Sequence, residues 1–314
     1  MPSRKSPRKG SLQFWPRKRA ARILPSVNWK LISGNKGVLK GFIAYKVGMA
    51  SAYITDNTAD SLTKSKKITI PATILECPPI KIFSIRFYKN SKVAKDVLST
   101  VLEKELKKKI KLPKKQHKLE DVNTSDYDDV SIIAYSNVKK TGLKKKPDMI
   151  EIRLNGSGVD EKLNFIKENL NKDISVLDVF EAGALIDIRG VTTGKGFQGP
   201  VKRFGINLKS HKSEKGVRRP GNVGPWHPAR VIFRVPMAGQ TGFQTRVIYN
   251  NKILTTGTGL KLDKKRYGNV KTDYLIVNGS VMGSAKRQVV ITAPLRKSKR
   301  QDKRELEFIE LRWK

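Results

Sequence analysis

Acidic residues are scarce in this chain of 314: 27 Asp and Glu stand against 65 Lys and Arg, a formal net charge of +38. Self-repulsion on that scale opposes compaction and implies a dense polyanion that neutralises it. Cysteine is nearly absent too. With Cys77 alone no internal disulfide framework can form, a cysteine-based zinc site would have one ligand of the several it needs, and a reducing compartment fits. Long apolar runs are missing, since a stretch such as Val130 to Tyr135 falls far short of a bilayer. The basic start is not followed by the apolar stretch of a secretory leader, so the glycosylation pattern Asn155-Gly156-Ser157 carries no weight. No basic helix with a large apolar face is evident, which argues against an anionic membrane surface. These absences predict an intracellular, soluble protein whose polyanion is nucleic acid.

What is present suffices for a core, with 38% apolar residues. Residues 1–38 read as a basic arm: the first 36 hold ten Lys or Arg, no acid, several prolines, and Phe14, Trp15 and Trp29 interleaved. Such a segment has too little apolar periodicity to offset chain entropy and is expected to order on a partner. Strand texture begins with Gly41 to Val47 and Ala52 to Thr55, and continues at Ile68 to Glu76 and Ile80 to Phe87. Over 92–111 the spacing of Leu98, Val101, Leu102 and Leu106 predicts a helix. Strands are expected at Val130 to Tyr135 and Met149 to Leu154, then a helix carrying Leu163, Ile166 and Leu170. The capping-box pattern Ser175-Val176-Leu177-Asp178 predicts a short helix closed near Gly183. Further strands are expected at Leu185 to Ile188, Arg230 to Val235, Arg246 to Tyr249, Tyr274 to Val277 and Gln288 to Thr292. From Arg189 to Gln244 only Glu214 is acidic, in a run rich in Gly and Pro.

Motifs of catalysis are weak. Gly194-Lys195-Gly196-Phe197-Gln198-Gly199 fits the dinucleotide pattern, but Pro200 and a basic run follow where a helix and an acidic ribose contact are required. The glycines then read as tight turns, or as backbone that can lie against a sugar-phosphate chain beside Lys195, Lys202 and Arg203. His117, His211 and His227 are far apart and lack metal-site spacing. No nucleophile elbow or carboxylate cluster accompanies His227, so no enzyme is expected. Trp226 lies among Pro220, Gly221, Gly224, Pro225 and Pro228 with Arg218, Arg219 and Arg230 nearby. A core Trp is the alternative to a projecting one that stacks on an unpaired base. The run Arg296 to Arg300 is either a solvated tail, an import signal, or the third part of one RNA-facing surface. A DNA-binding architectural protein and a nucleotide-dependent RNA enzyme are the rival classes.

Several motifs then resemble one family across nearly the whole chain: Ser3 to Lys5 and Pro7 to Ala20, Gly41 to Met49, Thr193 to Gly199, Trp226 to Ala229, Ala238 to Gly242 and Gly279 to Gly283. The family is large-subunit ribosomal protein L-three, in its archaeal and eukaryotic form. The resemblance implies a mainly β fold with an α+β insertion: a translation-protein-type β-barrel over 39–85 and 178–295, the insertion over 86–177, and long basic non-globular extensions. The extensions would be the arm, a central one over 200–245, and the basic C-terminal tail 296–314. It implies ribosomal RNA and neighbouring ribosomal proteins as partners, with no cofactor, metal, membrane or small-molecule substrate. The family's part is early subunit assembly and bracing of RNA near the peptidyl transferase centre, with Trp226 matching the tip of the central extension. His211 falls near a histidine modified in some eukaryotic members, but Ser210 to Lys215 departs from that pattern and no modification is carried over. The expected RNA-binding residues are Arg4, Lys5, Arg8, Lys9, Arg17, Lys18, Arg19, Arg22, Lys195, Lys202, Arg203, Lys209, His211, Lys212, Arg218, Arg219, Trp226, His227, Arg230, Arg246, Lys286 and Arg287.

Overall fold

Runs of β-branched and aromatic residues become strands wherever a neighbour satisfies their backbone. The computed structural model describes residues 9–32, 39–113, 119, 122, 126–156, 158–264 and 266–312; Arg4, Lys5, Arg8 and His117 lie outside them. In chain order the elements are β1 (Gly41–Asp56), β2 (Lys67–Cys77), β3 (Ile80–Lys89), β4 (Lys92–Leu98), β5 (Asp129–Ser136), β6 (Met149–Arg153) and α1 (Val159–Asn169). There follow β7 (Leu185–Val191), β8 (Phe197–Gln198), α2 (Pro200–Phe204), β9 (Gly239–Gln240), β10 (Thr245–Lys264), β11 (Gly268–Asn278), β12 (Gln288–Thr292), α3 (Lys299–Asp302) and β13 (Leu306–Arg312). The fold is mainly β. Two compact units divide it, one of Met1–Arg22 with Val191–Thr245, the other of Ile23–Gly190 with Arg246–Lys314.

In the larger unit the strands of the main sheet follow the order β12-β7-β10-β11-β2-β1-β13, and β1 also pairs with β12. Six strands therefore form a circuit of hydrogen-bonded neighbours, with β13 attached outside it on β1. The first half of β1 is buried almost throughout, which is why Gly41 to Val47 reads as a continuous apolar run rather than an alternating one. Gly41 admits the close approach of the ring of Trp29: a Cβ there would lie 2.7 Å from its Cη2 and 2.8 Å from the Ile291 carbonyl oxygen. Trp29 and Ile32, expected in the arm, are thus core residues. The ring supplies enough apolar area to order a segment whose charge argued against packing.

A second sheet runs β4-β3-β5-β6 with α1 beside it. Its Ile85, Val130, Ile132 and Ile152, with Leu163 and Ile166 of α1, join Phe42, Leu75 and Ile291 of the main sheet in one hydrophobic cluster. Asp160 and Glu161 in the first turn of α1 and Lys167 in its last match the helix dipole.

Four further expectations need correction. The helix over 92–111 is absent: Lys92–Leu98 is β4, antiparallel to β3, and only Lys104–Lys108 coils, as a 3-10 turn around buried Leu106. Asn90 and Ser91 both take positive φ, +51° and +62°, the primed hairpin geometry, so a two-residue turn overrode a helical spacing of leucines. At Ser175–Asp178 the capping bonds form, Ser175 N–H to Asp178 Oδ2 and Leu177 N–H to Ser175 Oγ, both 3.1 Å, on a single turn rather than a helix. No strand forms over Arg230 to Val235, where Val235 N–H turns back to the Ile232 carbonyl instead of meeting a partner strand. Within 296–314, read as a tail, α3 and β13 form, and β13 pairs with the second half of β1.

Candidate nucleic-acid interface

The smaller unit is held by its backbone before any side chain acts. β8 and β9 pair antiparallel, Phe197 opposite Gln240 and Gln198 opposite Gly239. Lys195 N–H bonds the Thr241 carbonyl (2.9 Å), Thr241 N–H the Gly196 carbonyl (2.9 Å) and Thr192 N–H the Gln244 carbonyl (3.0 Å). Gly242 makes the crossing possible, with φ +70° and room for no Cβ, which would fall 2.1 Å from the Thr193 carbonyl oxygen. The glycine-rich pattern ends in α2, which Pro200 opens at its first position and which lasts five residues. From this stem residues 205–238 run without helix or strand, and every residue of 221–230 is exposed.

The N-terminal segment is fastened to the stem through aromatics and guanidinium groups. Trp15 stacks on Phe204 (centroids 5.8 Å apart) and meets Phe233 edge-on (5.5 Å), while its Nε1–H donates to the Ser11 carbonyl (2.9 Å). Arg17 faces Phe204 at 4.6 Å and Trp15 at 5.5 Å; Arg203 faces Phe204 at 5.1 Å. Arg203 also donates Nε–H to the Gln240 carbonyl (3.1 Å), an Nη1–H to the Met237 carbonyl (2.8 Å) and an Nη2–H to the Arg17 carbonyl (3.2 Å). One planar fork thus joins the N-terminal segment, α2 and the returning limb, a geometry a lysine cannot reproduce. Burial, and then the charge of Arg17, pull the Arg203 guanidinium below its ordinary pKa.

Among the residues expected to meet RNA, Lys18, Arg19, Arg22, Lys195, Lys202, His211, Lys212, Arg218, Arg219, His227 and Arg230 are exposed in this unit, and Lys9, Arg17, Arg203 and Lys209 half-buried. Arg246, Lys286 and Arg287 belong to the larger unit, with Lys286 exposed and the two arginines half-buried. Trp226 is 87% exposed and takes no part in the core. Sequence reasoning did not single out Phe197 and Phe233, 77% and 66% exposed. The signal that picked Trp226, an aromatic among turn-formers and basic residues, applies to Phe197, which lies among Gly194, Lys195, Gly196 and Gly199, but not to Phe233 within Val231 to Val235. Among the described residues no helix is long and apolar enough to cross a membrane.

The smaller unit carries 18 Lys and Arg against one acid, Glu214, over 77 residues, beside 47 against 26 over the other 237. A strand-built body joined to such a unit defines a class, that of structural proteins that bind a polyanion rather than turn over a substrate. The family model for ribosomal protein L3 matches residues 1–314. Similar curated proteins include the large ribosomal subunit protein uL3 of Methanocaldococcus jannaschii, 41% identical over 308 residues (92% of this chain, 91% of the relative). The protein of the same name from Methanobrevibacter smithii is 37% identical over 325 residues (96% of each). The chain belongs to the ribosomal protein L3 family and is a structural protein, not an enzyme.

Proposed function

We propose that the chain is a constituent of the large subunit of cytoplasmic ribosomes, where it binds large-subunit ribosomal RNA beside neighbouring ribosomal proteins and braces RNA near the peptidyl transferase centre. The observation that carries this reading is the concentration of charge in the unit least able to pack alone: 18 cations, one acid, and 205–238 without regular structure. In this reading the circuit of six strands is a translation-protein-type β-barrel, with 86–177 inserted in it. The part of the arm before Ile23 and the central extension 200–245 thread RNA, while Trp29 and β13 anchor the rest of both termini in the folded body, and this threading supports early subunit assembly. The exposed cations and histidines named above, with Arg4, Lys5 and Arg8, meet phosphates, Trp226 positions the tip, and Arg203 holds the stem from which the extension leaves.

Phosphate contacts supply sequence-tolerant affinity through counterion release, so RNA shape sets specificity. Titration of the isolated chain with large-subunit ribosomal RNA at increasing salt is expected to give a log-log slope that steepens by about 0.7 to 0.9 per neutralised phosphate. Salt-independent binding, or preference for duplex DNA in competition, refutes the reading. Trp226→Ala is expected to leave assembly intact and change tRNA accommodation or drug response in the assembled subunit.

A further inference from the structure

Phe197 is an aromatic for which the fold has no internal use. It is 77% exposed, although β8 holds its backbone in register with Gln240. Trp15, Phe204 and Phe233 engage one another, whereas among the described residues no ring stacks on Phe197. Exposed Lys195 stands two residues before it, and a Cβ built on Gly196 or Gly199 would meet nothing within 4 Å, so open space borders the strand on either side of the ring.

We propose that Phe197 is a stacking platform for one unpaired RNA base, with Lys195 meeting the adjoining phosphate; this rests on the reading of the smaller unit as RNA-binding. A ring on a paired strand has lost its backbone freedom before binding, so little ordering entropy opposes the contact. An aromatic face with a cation close by in sequence matches the two parts of a single-stranded nucleotide, a π face and a charged link. An apolar groove on another protein would call for apolar neighbours. Here the neighbours are Gly194, Lys195, Gly196, Gln198 and Gly199, in a unit of net charge +17.

The test uses the full chain and a large-subunit ribosomal RNA transcript from Methanocaldococcus jannaschii as probe. Phe197→Ala and Phe197→Leu are expected to weaken binding by roughly 5- to 100-fold with the salt slope unchanged, and Phe197→Trp to bind within about threefold of the parent. Chemical probing should show one unpaired base protected by the parent and by Phe197→Trp and open with Phe197→Ala. Lys195→Ala should instead flatten the slope by about 0.7 to 0.9. Equal melting midpoints for all the Phe197 variants are expected; a lower midpoint for Phe197→Ala would mean the ring packs within the chain and overturns the assignment. So would binding and protection by Phe197→Ala that match the parent, or by Phe197→Leu that match Phe197→Trp. Loss of salt-steep binding in the parent itself overturns the RNA reading and this assignment together, whereas a parent that binds steeply beside an indifferent Phe197→Ala overturns only the stacking.

Discussion

The two units place their charges in opposite ways. In the larger one, buried carboxylates organise the interior. Glu76 accepts from the Tyr267 hydroxyl, from Lys271 N–H (2.9 Å), and from the N–H and hydroxyl of Thr272 (both 3.2 Å). Asp187 accepts from the N–H groups of Asn250 and Leu295, each at 2.9 Å, and Asp148 from Tyr45 at 2.5 Å and from the ammonium of Lys144. Lys252 turns its ammonium onto the carbonyls of Gln301, Asp302 and Arg304. In the smaller unit Glu214 is the one acid, and most of the described cations face outward. Charge that is hydrogen-bonded and buried specifies a fold, and charge left in solvent without counter-ions specifies a partner.

That contrast can be broken at either end. The largest effect is expected in the larger unit, where Phe42→Ala removes a fully buried ring and should cost about 3 to 5 kcal/mol in denaturant unfolding. A cost near zero would mean that the charged unit, not the core, holds the chain together. Glu76→Ala deprives several buried donors of their acceptor and should cost about 3 kcal/mol by the same measurement. In the smaller unit Arg203→Lys keeps the charge and loses the fork. Global unfolding should shift by less than about 1 kcal/mol, while hydrogen exchange at the Lys195 and Thr241 amides accelerates. Unchanged exchange would show that the three carbonyl bonds do not hold the stem. Smallest of all, Trp226→Ala should change stability by no more than about 0.5 kcal/mol, and a larger loss would return the tryptophan to a structural part.

Much of the β architecture could be read from the sequence because local signals and tertiary need agree there. Gln288 to Thr292 is β12 residue for residue, and Val130 to Tyr135 lies inside β5. The failures share one cause. β4 and β13 are strands because β3 and β1 offer them partners, and no window of residues contains the partner. Leu98, Leu102 and Leu106 pack around Phe83 and Tyr135 without a helix to space them, and the β-branched residues in 230–235 met no partner strand, so both local patterns were genuine and neither fixed the backbone.

The sequence by itself determined how unevenly charge is spread along the chain, because net charge and its distribution do not depend on folding. It also determined family, through motifs in order from end to end. It did not distinguish one tryptophan from another: Trp29 and Trp226 both lie in basic segments with prolines nearby, yet the fold buries the first against Gly41 and leaves the second in solvent. Nor did it separate Lys195 from Arg203. Only the tertiary structure, by bringing the carbonyls of Arg17, Met237 and Gln240 to one guanidinium, turns one of these cations inward and leaves the other in solvent. A side chain's chemistry is written in its residue type, but which groups come within 3 Å of it is set by contacts between segments far apart in the chain.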